Sequence, residues 1–191
     1  MARVNVRDKI VAAGLKVMYA QGFNGCSIQD ITDTAGVPKG SFYNHFKSKE
    51  LLALAVLESY QSLAQVEILA DRTKAPIARL RGYFKVLSRV HKATGYGGGC
   101  LMGNLGLELS DSSQRVRKAL FRHFSDWHRA IAAVLREGQQ NGEVNAGADA
   151  DQMARFLIAA WEGSLLQMKV SKTAGPLDDF FRVAFVPLAP R

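Results

Sequence analysis

Apolar residues recur at spacings of three and four along nearly the whole chain, and this periodicity limits the fold more than any other property of the sequence. Ile10, Ala13, Leu15, Val17 and Met18 begin the series, and Leu80, Tyr83, Phe84, Leu87 and Val90 resume it. Leu120, Phe124, Trp127, Ile131 and Leu135 form a third run, and Met153, Phe156, Leu157, Trp161, Leu165 and Met168 a fourth. A period near 3.6 belongs to an amphipathic helix, and the strict alternation of a half-buried strand is scarce here. The sequence therefore predicts an all-α fold of about nine helices.

Glycine, proline and capping residues punctuate the series. Gly22 closes a first helix over residues 5 to 21. Ser27 precedes "IQDITDTAG" with Asp30 three residues later, the spacing of a capping box that opens a second helix. Gly36 ends that helix, and Pro38 suits the first turn of a third, which needs no N–H there and runs to about Phe46. Ser48 caps a longer fourth helix through "KELLALAVLESYQSLAQVEILAD", residues 49 to 71. Three short helices joined by a Gly-containing turn make a helix-turn-helix head over residues 1–50, and 51–191 form a helical body. In the body, "ATGYGGG" separates a helix starting at Pro76 from a short one in "CLMGNLGLELSD". A long helix from about Ser113 to Gln140, another after Asp149 and "PLDDFFRVAFVPLAP" complete the chain, with no internal repeats.

The third helix, "KGSFYNHF", is too polar for a core helix. A formal charge of +8 and a pI of about 9.7 suit a polyanion as the thing it touches. Lys39 can pair with phosphate, and Gly40, lacking a side chain, lets the backbone approach a duplex. Tyr43 offers a hydroxyl for phosphate and a ring for sugar or a thymine methyl. Ser41, Asn44 and His45 can reach base edges or adjoining phosphates, with Pro38 on the same surface, while Phe42 and Phe46 lock the helix to the core. Lys49 at the start of the fourth helix can reach phosphate, and Ser27 is the candidate at the start of the second.

Other classes of function have little support. Cys26 and Cys100 are too few and too far apart for a disulfide scaffold or a spaced zinc site, which fits a reducing cytoplasm. No segment approaches the roughly 18 uninterrupted apolar residues of a membrane span, so no membrane partner is expected. P-loop, dinucleotide and metal-cluster patterns are absent, so no cofactor is expected. His91, Cys100 and Asp111 could be drawn as base, nucleophile and orienter, but that spacing has no specificity and an enzyme is not expected. A non-specific nucleic-acid-binding or architectural protein is the alternative that the charge also allows.

"GFNGCSIQDITDTAGVPKGSFYNHFKSKELL" resembles the DNA-binding head of the TetR repressor family over about residues 8 to 53. The likeness rests on Gly22-Phe23, Asp30-Ile31, Ala35-Gly36-Val37, Lys39-Gly40, Tyr43 and Phe46-Lys47-Ser48-Lys49-Glu50. Cys26 departs from it, standing where many members carry threonine. The resemblance implies a transcriptional repressor whose third helix enters the major groove of a double-stranded operator. It also implies a body that binds a small-molecule inducer and forms a homodimer through the last two helices. Phe156, Ala160, Trp161, Ser164, Leu165 and Met168 are the expected dimer stripe. Tyr83, Phe84, Leu87, Cys100, Met102, Leu105, Phe124, Trp127, Trp161 and Met168 are the candidates to line an apolar inducer site. "GCLMGNLGLELSD" further resembles a subgroup that includes the N-ethylmaleimide-responsive repressor. That likeness makes Cys100 a candidate sensor thiol, activated by its place in the first turn of a helix. A small buried apolar cysteine is the other reading of Cys100.

Overall fold

The computed structural model describes residues 5–61 and 65–189, and every regular element among them is helical. The elements are α1 Val6–Gln21, α2 Ile28–Ala35, α3 Lys39–His45, α4 Lys49–Gln61, α5 Glu67–Ala70, α6 Pro76–Ala93, α7 Leu101–Leu109, α8 Gln114–Gln140, α9 Ala150–Ser171 and α10 Gly175–Val183. A 3-10 turn at Val186–Leu188 follows. The count exceeds the expected nine because the predicted fourth helix does not run to residue 71. It stops at Gln61, residues 62–64 lie outside the described residues, and Gln65 has a φ of 50°, which no helix can include.

The chain divides into two compact units. The first is made of Met1–Leu63 and Cys100–Phe121. Its centre is α1, packed on α2, α3 and α4, with Ile10, Met18, Ile31, Phe42, Leu52 and Val56 fully buried. Gly14 lets α1 and α4 approach closely, since a Cβ there would lie 3.0 Å from Leu52 and 3.1 Å from Val56. The helix boundaries follow from local chemistry. Ser27 and Asp30 form the capping box, each side chain meeting the other's backbone N–H, which satisfies donors that the first turn of α2 leaves open. Gly36 then adopts the left-handed conformation, φ 65° and ψ 40°, that stops α2 and turns the chain into α3. Helix α7 packs on α4 in the same unit and buries Leu101, Leu105 and Leu109. Just beyond it, Ser113 donates its hydroxyl to Glu50 at 2.6 Å.

The second unit comprises Ala64–Gly99 and Arg122–Arg191. Its core is aromatic: Trp161 of α9 lies 5.2 Å from Phe84 of α6 and 5.1 Å from Phe180 of α10, ring centroid to ring centroid. Phe84 and Phe180 meet edge to face at 4.9 Å, a geometry that adds to their burial. Arg79 of α6 is buried and pairs with Glu137 of α8 at 2.6 Å. Without that partner the buried guanidinium would keep its bond to the Leu69 carbonyl at 3.3 Å and lose its counter-charge. Asp149 caps α9 by accepting from the amides of Asp151 and Gln152.

One expectation about α9 is corrected here. Of the predicted dimer stripe, Trp161, Leu165 and Met168 are all buried within the unit's own core. Helix α9 is apolar on two sides, and periodicity alone does not say which side its own body covers. Phe156, Leu166 and Val170 stand on the uncovered side, with Ala159 and Gly163 between them. Likewise Val90, expected inside, is exposed, and Ser88 and His91 face inward from α6 instead.

Candidate nucleic-acid interface

Helix α3 is seven residues long and is fixed by its aromatic side. Phe42 and Phe46 are buried with ring centroids 5.9 Å apart, and the Phe46 amide donates to the Phe42 carbonyl at 2.8 Å. That anchoring leaves the opposite side bare. Pro38, Lys39, Gly40, Tyr43, Asn44 and His45 are all exposed, Tyr43 to 54%, and Ser41 is half-buried. Six of the seven lie on α3 itself, and Pro38 is its N-cap.

Gly40 is informative because the fold does not require it. A Cβ added there would meet nothing within 4 Å, and its φ is not in the left-handed region. Tyr43 meets Phe42 edge to face at 5.3 Å and is more than half exposed.

Ser27 and Lys49 are placed differently from the phosphate contacts expected of them. The Ser27 hydroxyl donates to Asp30 at 2.7 Å and accepts from the Asp30 amide at 3.1 Å, so the capping box occupies it. The bond from the Ser27 hydroxyl, and then the one from the Ser27 amide, hold the Asp30 carboxyl below its ordinary range. The Lys49 ammonium turns inward, donating to the carbonyls of Phe23 at 2.7 Å and Cys26 at 2.6 Å. Sequence reasoning missed Glu108 of α7, whose carboxylate accepts from the amides of Phe23 and Asn24. Its trace in the sequence is an acid on a short helix with no Lys or Arg three or four residues away.

The ten inducer-site candidates divide between the units. Cys100, Met102 and Leu105 belong to the first and are buried. Cys100 is the N-cap of α7, and the Tyr60 hydroxyl approaches its sulfur at 3.9 Å. Burial, with the neighbouring Cys100 second, pushes the Tyr60 hydroxyl well above its ordinary pKa. Among the described residues neither cysteine forms a disulfide. Tyr83, Phe84, Leu87, Phe124, Trp127, Trp161 and Met168 belong to the second unit. Tyr83 links the two tryptophan clusters there, lying 6.4 Å from Trp127 and 5.4 Å from Phe84. The Trp127 indole N–H is buried with no acceptor among the described residues.

A three-helix head that displays a polar helix carrying Lys39 in solvent defines a helix-turn-helix DNA-binding regulator. Comparison with known proteins gives the family. Residues 10–56 match the profile described as bacterial regulatory proteins, tetR family, and residues 76–184 match the tetracyclin repressor-like C-terminal domain. The chain belongs to the TetR family. It is 42% identical to the HTH-type transcriptional repressor DhaR of Mycobacterium sp. (strain GP1), over 100% of this chain and 96% of that one. A crystal structure of regulatory protein TetR from Rhodobacter sphaeroides superposes with a TM-score of 0.90 at 32% identity, covering 95% of this chain and 98% of that one. The reduced form of E. coli NemR superposes with a TM-score of 0.84 at 28% identity, covering 96% and 98%.

The chain is thus a ligand-responsive transcriptional repressor of this family and not an enzyme. Regulators of the family bind DNA and small-molecule ligands and act as dimers. Among the described residues no helix is long and apolar enough to cross a membrane.

Proposed function

We propose that the protein is a cytoplasmic repressor that reads a pseudo-palindromic operator as a homodimer and is released by a small-molecule inducer. The observation that carries this is the bare side of α3, where Lys39, Gly40, Tyr43, Asn44 and His45 stand in solvent on a helix locked by Phe42 and Phe46. In this reading Lys39 and Tyr43 hold phosphates and the groove wall. Asn44 and His45, with Ser41 beside them, meet base edges or adjoining phosphates. Gly40 is small because the duplex backbone, not the protein, occupies the space beside it. Ser27 contributes through the cap that orients α2, and Lys49 through the loop it ties down.

The uncovered stripe of α9 supports the dimer. Phe156, Ala159, Gly163, Leu166 and Val170 follow one another at alternating spacings of three and four, the repeat by which paired helices interlock, and Gly163 has open space above it. Two heads then read two half-sites. The aromatic cluster of the second unit supports an apolar inducer, and the unpartnered Trp127 N–H favours one carrying a hydrogen-bond acceptor. Release works by linkage: the inducer must bind more tightly to the state in which the heads mismatch the operator.

A second reading of the inducer is an electrophile that reacts at Cys100, favoured by the place of that thiol at the N-cap of α7. Retention of the inducer response in Cys100→Ser excludes it. Selection of bound fragments from random DNA tests the whole function. A palindrome is expected, and a pool with no enriched sequence contradicts the reading of α3 as a sequence-specific recognition helix.

A further inference from the structure

The loop from Gly22 to Ser27, which joins α1 to α2, is held from both sides by opposite charges. From the last turn of α7, the Glu108 carboxylate accepts from the amides of Phe23 at 3.0 Å and Asn24 at 2.6 Å. From the first turn of α4, the Lys49 ammonium donates to the carbonyls of Phe23 and Cys26 and lies 4.4 Å from the centre of the Phe23 ring. Gly22 makes the room: its φ is 81°, and a Cβ there would stand 2.6 Å from a Glu108 carboxylate oxygen. Four backbone groups of this loop therefore have charged partners, supplied by helices outside the α1–α3 head.

We propose that Glu108 is a positioning residue for operator reading. Its carboxylate fixes the α1–α2 loop, and through it the Ser27-capped start of α2 and the α3 packed on α2, so that the fit of the head to DNA depends on α7. The inference rests on the reading of α3 as the recognition helix. Hydrogen bonds to a charged group are about twice as strong as neutral ones, which suits them to hold a loop that has no regular structure of its own. Without the latch the loop samples other conformations, and DNA must select the competent fraction, which lowers apparent affinity by that fraction. Simple electrostatics predicts the reverse, because removing a negative charge strengthens attraction to phosphate. The two effects have opposite signs.

The test compares the full-length wild type with Glu108→Gln and with Asp111→Asn, an exposed position three residues on that makes the same change in charge. Three quantities are read: amide hydrogen exchange by NMR, affinity for the palindrome selected from random DNA, and affinity for a random duplex. The amide of the Glu108→Gln variant offers one acceptor oxygen where the carboxylate offers two. In that variant, exchange at Phe23 and Asn24 should accelerate about tenfold or more, while Val17 and Met18 in α1 keep their rates. Palindrome affinity should fall roughly tenfold and random-duplex affinity should not fall. Asp111→Asn should show neither change. Unchanged exchange overturns the latch, and faster exchange with undiminished palindrome affinity overturns its role in reading. A wild type that prefers no sequence overturns the DNA reading itself, and this inference with it. If Glu108→Gln does not unfold cooperatively, Glu108→Asp, which keeps the charge and shortens the reach, is measured against the same outcomes.

Discussion

Lys49 and Phe23 meet twice: the ammonium donates to the Phe23 carbonyl at 2.7 Å and lies 4.4 Å from the centre of the Phe23 ring. A side chain so engaged holds the head together and is not free for DNA. Lys49→Met should therefore lower stability by about 1–3 kcal/mol, because it removes two charge-assisted hydrogen bonds and a cation–π interaction. Urea unfolding measures this. The salt dependence of DNA binding should stay as in the wild type, whereas an unchanged midpoint with a shallower salt slope would make Lys49 a phosphate ligand.

Lys39 and Tyr43 should behave in the opposite way, since both are exposed and Tyr43 meets the core through an edge-to-face contact with Phe42. Lys39→Ala should weaken all duplexes alike and lower the salt slope by about 0.9 for each phosphate that the ammonium neutralises. Tyr43→Ala should weaken operator binding by about 1–3 kcal/mol. Lys39→Ala should keep its unfolding free energy within about 0.5 kcal/mol of the wild type, as surface changes do, and Tyr43→Ala should lose no more than about 1.5 kcal/mol with its contact to Phe42. Fluorescence anisotropy across a salt series reads the first two effects.

Leu166, 56% exposed in the single chain, is at the middle of the proposed dimer stripe. Leu166→Asp would place a carboxylate in that seam, and the dimer dissociation constant should rise by about a hundredfold or more. Sedimentation should show a dimer for the wild type and a monomer for the variant at micromolar concentration. Leu165→Asp, directed at the core, should instead fail to fold.

His91 sets a pH dependence. Burial holds its imidazole at a pKa of about 4, below the ordinary 6.5, so the folded chain keeps it neutral. Between those values the unfolded chain binds the proton more readily. The stability present above pH 6.5 is therefore lost as pH falls toward 4, by on the order of 3 kcal/mol. His91→Gln should flatten that part of the stability profile in urea unfolding.

What the sequence disclosed and what it withheld separate by range. The Ser27–Asp30 capping box and the Gly36 stop are contacts within a few residues, so their spacing is their signature. The side of α3 that meets DNA is legible because Phe42 and Phe46 are the only apolar anchors in a polar helix. The two sides of α9 are not, because both are apolar and only the packing of Trp161 against Phe84 and Phe180 distinguishes them. Glu108 and the Phe23 amide are 85 residues apart, and nothing local links a carboxylate on α7 to an amide in the first loop. Lys49 is the intermediate case. Its charge is plain in the sequence, but the competition between a phosphate outside and two carbonyls inside is settled by geometry.

The central claim, that paired α3 helices read a specific duplex, is tested most directly by one anisotropy measurement. Affinity for the selected palindrome is compared with that for a scrambled duplex of equal length and composition, at one fixed salt concentration. The account predicts a ratio of about 10³ or more in favour of the palindrome. A ratio near one would contradict it.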